Sequence, residues 1–492
     1  MCIVHIVTSQ APDHVTAPEP STVSSNAIVF VLSVAGITGA LMQTLVVPLI
    51  QDLPDLLNTT ASNASWVITA TLLTAAVATP VSGRLGDLYG KRRMMLVCSG
   101  ALVIGSAVCA LAASVVPMIV GRGLQGVGMG MIPLGISAMR DLLPAEKLGT
   151  SIALMSASMG VGGALGLPIA AAVAEVNWRL LFWGSTALAV LIATLIFKLV
   201  PATPVARNTS GFDYVGAVGL GAGLVCLLLG VSKGADWGWG SATTVGLLVA
   251  SVVILLVWGW FELTLDAPLV DLRVTARPVV LLTNVASLVV GFSMYAQSLI
   301  IPQLMQMPKA TGFGLGESML AMGLWMMPGG LVMMLVSPLG AKLSHLRGPK
   351  VTLAVGSFVV SLGYVAAVLM MGSAFTLMLA VCIGSAGVGL AYGAMPALIM
   401  GSVPVSETAS ANSFNTLSRS VGTSIAAAVV GVVLAQMTMD LGGTQVTSEN
   451  GFKTGLLIGA AVALVASLVA MAIPSKASRD AEESIEHEVA TV

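Results

Sequence analysis

Charged residues are scarce in this chain of 492 residues. Asp, Glu, Lys and Arg together make up 9% of it, whereas hydrophobic residues make up 56%. An ordinary soluble domain is about 25% charged, so this composition excludes a soluble globular protein and indicates one that lies in a lipid bilayer. The net charge of −1 gives no sign of a nucleic-acid partner, and we expect none.

Cysteine is also infrequent, and its placement does not suit metal or disulfide chemistry. The five cysteines are scattered and none belongs to a Cys-x-x-Cys pair, which argues against a disulfide framework or a zinc site. The phosphate-binding pattern Gly-x-x-x-x-Gly-Lys-Ser/Thr does not occur, so ATP is not expected to drive the protein directly. We therefore expect no metal, no cofactor and no catalytic residue.

Long apolar runs dominate what is present. They are about 20 residues long, the length at which a helix crosses the hydrocarbon core of a bilayer. We predict an all-α polytopic membrane protein with fourteen transmembrane helices. The predicted spans are 27–50, 65–83, 94–114, 117–139, 149–173, 180–199, 213–232, 243–262, 279–302, 317–338, 351–371, 375–399, 409–436 and 453–473.

The distribution of lysine and arginine predicts the orientation. Connections on one side of the membrane hold most of the cations, whereas the other side holds Arg179, Lys233, Lys309 and Lys453. Positively charged connections remain on the cytoplasmic side. We therefore predict a multi-pass protein of the cell membrane with both termini in the cytoplasm.

The chain contains an internal repeat. A shift of 258 residues places Gly90 on Gly348, and a shift of 261 places Gly126 on Gly387. Parallel six-helix repeats are typical of transporters whose halves rock about a central site. The predicted organisation is a disordered cytoplasmic tail at 1–25, a six-helix bundle at 26–200, a two-helix insert with linkers at 201–277, a second six-helix bundle at 278–473 and a cytoplasmic tail at 474–492.

The densest charge cluster lies between the second and third spans, at residues 83–93. We predict a tight loop at the membrane surface there. Asp87 would accept hydrogen bonds from N–H groups at a nearby helix N-terminus and pair with an arginine. Such contacts would hold the two halves closed on the cytoplasmic side. A solvated loop acid is the alternative interpretation.

Four short motifs point to a known family. A loop pattern Gly-x-Leu-x-Asp-x-x-Gly-Arg/Lys-Arg/Lys is matched by Gly83, Leu85, Asp87, Gly90, Lys91 and Arg92. A fourth-helix pattern Arg-x-x-Gln-Gly is matched by Arg122, Gln125 and Gly126. A glycine-rich fifth helix is matched by Gly160, Gly162, Gly163, Gly166 and Pro168, and a Trp-Arg-x-x-Phe/Trp element by Trp178, Arg179 and Phe182. These motifs resemble those of the Major Facilitator Superfamily, most closely its fourteen-helix drug:proton antiporter branch.

The resemblance implies a monomeric exporter that works by alternating access and is driven by the proton gradient. The matched residues of the loop and of the fourth helix would form a conformational lock and coupling network. The fifth-helix stripe, Ser158, Gly162 and Gly166 with Pro168, is associated with export in this family and would seal the two halves against leak. Plain packing between helices is the alternative interpretation of this stripe.

Polar side chains inside apolar spans mark a candidate substrate cavity. A cation in lipid is costly, so we predict that Arg122 faces a cavity and does not extend to the outer membrane surface. Arg419 shares one helix face with Asn412 and Asn415, which fits either a cavity wall or a buried structural network. The candidate cavity residues are Gln43, Asn284, Tyr295, Gln297, Asn415 and Arg419.

The first-helix aspartate of this antiporter branch is missing, because the matching position is Met42. No predicted span carries a carboxylate near its middle. Proton coupling would therefore use a peripheral acid, namely Asp87, Glu175 or Glu317. The lack of a buried acid weakens the case for cationic substrates, and the buried arginines favour neutral or anionic amphipathic ones.

The sequence thus predicts a secondary active transporter that exports amphipathic small molecules, such as drugs or antibiotics, in exchange for protons. Met42 leaves open a proton-independent facilitator or importer of a metabolite, and a lipid transporter is a variant of the exporter. A membrane enzyme would need clustered acids, and the one close pair, Asp52 and Asp55, lies in an outer loop. We therefore do not expect an enzyme.

Overall fold

The computed structural model of the protein describes residues 24–46, 49, 52–64, 66–202, 211–265, 268–442 and 444–474. The polar tails predicted at the two ends lie almost wholly outside the described residues, since 1–23 and 475–492 are not among them. The same holds for residues 203–210 of the predicted linker after the sixth span. The domain boundaries drawn from the sequence stay a prediction.

Fourteen helices among the described residues are long and apolar enough to cross a membrane, which confirms the predicted fold class and number. Apolar runs become helices because a backbone in lipid must satisfy its own hydrogen bonds. In chain order the helices are α1 Ser25–Thr44, α2 Trp66–Tyr89, α3 Lys91–Leu111, α4 Val115–Leu142, α5 Ala145–Ala174, α6 Val176–Leu199, α7 Tyr214–Gly234, α8 Ala242–Thr264, α9 Pro278–Gln306, α10 Met319–Arg347, α11 Pro349–Leu369, α12 Ala374–Met400, α13 Val405–Gln436 and α14 Glu449–Ala472.

Short elements connect the long helices. There are one-turn helices at Leu53–Leu56, Ala61–Ala64 and Leu272–Thr275, and 3₁₀ turns at Lys309–Thr311 and Val405–Glu407. The second of these 3₁₀ turns opens α13, which is α-helical from Thr408 onwards. An antiparallel hairpin between α13 and α14 pairs β1 Thr438–Leu441 with β2 Thr444–Thr447. No pattern in the sequence predicted this hairpin.

The charge cluster at 83–93 is not the loop that the sequence predicted. Helix α2 continues to Tyr89, α3 begins at Lys91, and Gly90 alone separates them. The helix extends this far because Arg84 and Asp87 are buried against other helices, 7% and 6% exposed, and do not need the membrane surface. Helix α10 is extended in the same way, to Arg347, while α1 ends earlier than predicted, at Thr44.

The two repeats share a turn that only glycine adopts easily. Gly90 has φ +99° and Gly348 has φ +84°, and each directly precedes a helix of 21 residues, α3 and α11. Glycines also let the next helix approach in each copy. A Cβ on Gly105 would lie 2.6 Å from the carbonyl oxygen of Gly121, and a Cβ on Gly356 would lie 2.6 Å from that of Gly387. Both bundles thus have a glycine with positive φ before a helix and a close glycine–glycine contact between two helices.

The two bundles meet along two seams. On one seam, α5 packs against α10 and α12, and the hydroxyl of Ser337 on α10 donates to the carbonyl of Ala153 on α5 at 2.7 Å. On the other seam, α2 packs against α13. Helix α7 of the insert covers this second seam, where Leu220 and Leu224 pack in one apolar cluster with Ala76 of α2 and Leu417 of α13.

We expect Gly348→Ala to destabilise the fold. Its backbone, φ +84° and ψ 153°, lies in a region that costs a residue with a Cβ about 1–3 kcal/mol, although a methyl group would meet no atom within 4 Å. The midpoint of thermal unfolding in detergent should fall. Gly100→Ala is the matched control, because Gly100 lies inside α3 with equally open space. This change should be neutral or stabilising, and equal effects of the two variants would contradict the argument.

Candidate functional site

Asp87 joins the two bundles at the end of α2. Its side chain is 6% exposed. Its Oδ1 accepts a hydrogen bond from the backbone N–H of Ala409 at 3.2 Å, and its Oδ2 accepts one from that of Ser410 at 2.8 Å. Both amides belong to the first turn of α13 after Thr408, where the helix dipole favours a negative charge. These are the helix N-terminal hydrogen bonds expected for Asp87 from the sequence.

Arg140, at the end of α4, adds a second contact to the same helix N-terminus. It donates to the hydroxyl of Thr408 at 2.7 Å and to the carbonyl of Val403 at 3.4 Å. We call Asp87 and Arg140, with their partners Val403, Thr408, Ala409 and Ser410, the clamp. Sequence reasoning missed Arg140, because a cation at a helix end was attributed to the membrane surface. Arg140 thus binds the same helix end as Asp87 and not the carboxylate itself, whereas the charges of Lys91 and Arg84 act on that carboxylate.

Gly83 brings the two helices of the clamp close together. A Cβ at this position would lie 2.6 Å from the Cβ of Ser413 and 2.8 Å from the carbonyl oxygen of Ala409. Such distances are shorter than van der Waals contact, so any larger residue would push α2 away from α13. The motif glycine therefore determines how closely Asp87 can approach the α13 amides.

The remaining cations of the loop motif bind within the first bundle. Lys91 forms an ion pair with Asp141 of α4 at 2.7 Å and is buried. Arg92 donates to the backbone carbonyl of Phe197 on α6 and lies over its ring. Gly90 supplies the turn before them. Of the predicted lock residues in this motif, Gly83 and Asp87 contact the second bundle, whereas these three organise the first.

Arg122 does not face a cavity, contrary to the prediction. It is 2% exposed and its guanidinium donates to the carbonyls of Val67 and Met42 at 3.2 and 2.8 Å and to Gln125 Oε1 at 2.7 Å. Gln125 donates in turn to Ser106 at 2.8 Å. Backbone carbonyls on α1 and α2 thus compensate the buried charge, which makes this network internal to the first bundle. Gly126 belongs to the same helix and fits closely against the backbone of Thr71 on α2.

Met42 occupies the position of the missing aspartate, and its surroundings are polar. Its carbonyl accepts from Arg122, and its sulfur lies 3.9 Å from Gln125 Nε2. The most buried acids in the described part of the chain, Asp87 at 6% and Glu262 at 1% exposed, both lie within three residues of a helix end. Glu317 lies ahead of α10, outside any helix, and the side chain of Glu175 is outside the described residues.

Three of the four residues of the fifth-helix stripe do not lie between the two bundles. A Cβ on Gly162 would meet Ala40 of α1 at 2.8 Å, and one on Gly166 would overlap Thr44, also of α1. Ser158 lies against Gly36 of the same helix. The stripe thus packs α5 onto α1 inside the first bundle, which corrects the predicted seal and matches the packing alternative.

The seal against the second bundle is formed by a different face of α5. Gly160 packs against Met333 of α10, and the backbone of Pro168 lies against Gly323 near the start of α10. Of the four predicted stripe residues, Pro168 alone reaches the second bundle in this way. Helix α5 thus packs one face of small residues against α1 and another face against α10.

The predicted cavity residues do not form one site. Asn415 donates to Asn284 and Ser287 at 2.9 and 2.7 Å in a buried network between α13 and α9. Arg419, 8% exposed, has its guanidinium 4.4 Å from the ring centre of Tyr392. Gln43 is exposed, whereas Tyr295 and Gln297 are half-buried on the other half of α9 from Asn284. For Asn284 and Asn415 the structural network is the interpretation that fits.

A small cavity lies beside this network, between α9 and the start of α13. Its volume is about 20 Å³ and it is lined by Asn284, Glu407, Ser410 and Phe414, among others. That is room for about one water molecule, far less than a drug-sized ligand needs.

Comparison with known proteins identifies the family. The sequence profile of the Major Facilitator Superfamily matches residues 32–427. An uncharacterized MFS-type transporter of Mycobacterium tuberculosis is 31% identical over 298 residues, which cover 59% of this chain and 43% of that protein. The multidrug resistance protein fnx1 of Schizosaccharomyces pombe is 28% identical over 291 residues, 56% of this chain and 54% of that protein. This chain thus spans less than two thirds of the length of these relatives.

The match spans almost the whole length of another relative, the lincomycin resistance protein LmrB of Listeria monocytogenes. It is 24% identical over 454 residues, which cover 88% of this chain and 94% of that protein. The human organic anion transporter MFSD10 has a similar fold, with a TM-score of 0.64 at 15% identity over 91% of this chain and 99% of that one. The proton:xylose symporter XylE has a TM-score of 0.62 at 13% identity over 92% and 96%.

These matches are to transporters and not to enzymes, as expected. Because the family profile covers most of the chain, and because the fourteen helices of membrane-spanning length among the described residues agree with it, this protein belongs to the Major Facilitator Superfamily of membrane transporters.

Proposed function

We propose that this protein exports amphipathic small molecules, such as drugs or antibiotics, by alternating access in exchange for protons. The observation that carries the proposal is the clamp, a polar contact between two bundles at the predicted cytoplasmic end. A transporter of this kind needs a closure that is specific in geometry and still reversible. We further propose that the protein works as a monomer in the cell membrane with both termini in the cytoplasm.

The clamp has a suitable strength for reversible closure. Hydrogen bonds to a charged group contribute about 1.5–3 kcal/mol each, so the two hydrogen bonds of Asp87 favour the closed state by roughly two to four powers of ten. Protonation of Asp87 or a rearrangement of α13 would remove much of this preference. Substrate or proton binding can therefore shift the population between closed and open states.

Two kinds of observation support the proposed direction of transport and the proposed substrate class. One is the names of two relatives, and the other is the charged residues inside the spans. Two relatives carry names for multidrug and lincomycin resistance, which favours efflux of drug-like molecules. Arg419 lies deep in α13 with its charge directed at an aromatic ring, and such a group suits neutral or anionic amphipathic substrates better than cations. The proton would be carried by a peripheral acid, because Met42 replaces the first-helix aspartate.

Met42 also supports a second candidate function. Without an acid at this position, the protein would act as a facilitator or importer of a metabolite that needs no proton gradient. The two functions differ in one observable property, namely whether substrate accumulation depends on the gradient.

We expect a fluorescent amphipathic dye to accumulate in inverted membrane vesicles that carry this protein only while a pH gradient is imposed. Asp87→Asn should reduce the accumulation about tenfold or more, because it removes the charge that the α13 amides stabilise. Glu146→Gln is the matched control, since Glu146 is an exposed acid at the same predicted end and its loss should leave transport intact. Accumulation that persists after the gradient is collapsed would contradict proton exchange and favour the facilitator.

The second test concerns Arg122. Arg122→Lys should lower the midpoint of thermal unfolding, because the single ammonium nitrogen of lysine cannot reach three acceptors that the guanidinium contacts from two separate nitrogens. Each buried acceptor left without a donor costs about 1–3 kcal/mol. Dye affinity of the folded fraction should not change. The exposed Arg93 supplies the control, Arg93→Lys, which should behave like the wild type. A stable Arg122→Lys protein with weakened dye binding would instead restore the cavity-facing interpretation.

A further inference from the structure

Two carboxyl groups meet in the two-helix insert, outside all the motifs that the sequence shows. Asp213 precedes α7 and its Oδ1 accepts the backbone N–H of Gly216 at 2.8 Å, as a helix cap. Glu262 lies near the end of α8 and is 1% exposed. A methyl group on Gly216 would overlap both Asp213 Oδ2 and Glu262 Oε1. These two oxygens therefore lie side by side over this glycine.

In the described part of the chain, the facing oxygens Asp213 Oδ2 and Glu262 Oε1 are buried and form no hydrogen bond of normal geometry. The indole Nε1 of Trp258, one turn before Glu262 on α8, is the donor beside them, and it too is buried without a hydrogen bond of normal geometry. Trp258 is 8% exposed and its indole interacts with the Glu262 carboxyl group. Two ionised carboxylates in contact repel each other strongly when they are removed from water. One proton between the oxygens would satisfy both and remove the repulsion.

Charged groups on the neighbouring elements do not replace that proton. The carboxylate of Asp271 caps the backbone N–H groups of Arg273 and Val274. The Arg273 guanidinium donates to the carbonyl of Leu263 at 2.7 Å. Glu407, at the start of α13, is a further acid on this side. Among the described residues, no lysine or arginine nitrogen forms an ion pair with Asp213 or Glu262.

A short chain of hydrogen bonds leads from this pair to the clamp. The second oxygen of Glu262 accepts the backbone N–H of Val270 at 3.4 Å. The carbonyl of the preceding residue, Leu269, accepts the hydroxyl of Ser410 at 3.2 Å. Ser410 also donates its backbone N–H to Asp87. The position of segment 269–270 therefore depends on Glu262 and in turn helps to place a clamp residue.

We propose that Asp213 and Glu262 together bind one proton, shared between Oδ2 and Oε1, and that loss of this proton loosens the clamp. In the protonated state the pair is compact and Glu262 holds Val270. When the proton leaves to water at the predicted cytoplasmic end, two negative charges face each other and Glu262 moves away from Asp213. Segment 269–270 then releases Ser410. The insert would thus link cytoplasmic pH to the opening of the transporter, an inference that rests on the proposed closing role of the clamp and not on antiport itself.

The proton can be observed directly by infrared spectroscopy of the purified protein in lipid nanodiscs. The wild type minus Glu262→Gln difference spectrum should show the C=O stretch of a protonated carboxylic acid, and this band should disappear as the pH is raised. Asp213→Asn should also lose the band while it keeps the helix cap, because asparagine caps as well as aspartate. Glu146→Gln should retain it. Identical spectra for the wild type and Glu262→Gln would overturn the proposal, as would a band that sodium ions abolish at constant pH.

The link to the clamp can be measured by hydrogen exchange of the peptide that contains Ala409 and Ser410. In the wild type, a rise in pH should speed its exchange more than it speeds exchange of the β1–β2 hairpin, which serves as the internal reference. In Glu262→Gln this excess should vanish. An equal excess in both proteins would overturn the link. Neither readout involves transport, so a protein that fails to exchange protons for dye would not by itself affect these results.

Discussion

The hydrogen bonds between the Asp87 carboxylate and the backbone amides of Ala409 and Ser410 join the two bundles, and the rest of the clamp is arranged around them. A helix N-terminus offers unpaired N–H groups and a partial positive charge, so the acid is stabilised there, and the charges of Lys91 and Arg84 add to this stabilisation. Gly83 permits the approach of α2, and Arg140 fixes the other side of the same helix end. The link from Leu269 to Ser410 then extends this contact to the insert.

Buried cations need compensating partners in a chain that has few charged residues, and two cations of the first bundle show how these partners are supplied. Arg122 is surrounded by backbone carbonyls and Gln125, while Lys91 is paired with Asp141. Since an uncompensated charge among apolar helices is very costly, these residues make the first bundle cohesive. The loop-motif residues are therefore divided between those that contact the partner bundle and those that stiffen the first bundle, a division that suits the proposed alternating access.

Small residues on α5 show how one helix serves two neighbours. Gly162 and Gly166 face α1 within the bundle, whereas Gly160 and Pro168 face α10 across the seam. Because side chains three and four apart share a helix face, the four-residue spacing revealed a close-packed stripe. The spacing carries no information about which helix packs there, and the wrong neighbour was assigned for that reason.

Helix number, approximate helix ends and the duplicated plan followed from the sequence alone, because span length, apolar runs and glycine turns are local properties. The sequence also predicted that Asp87 would bind a helix N-terminus, because an anion there is a general physical preference. Only the tertiary structure decided that the amides belong to Ala409 and Ser410, that Arg122 is enclosed rather than facing a cavity, and that Asp213 meets Glu262. These contacts join residues far apart in the chain, and their partners depend on how the helices pack, which no local pattern encodes.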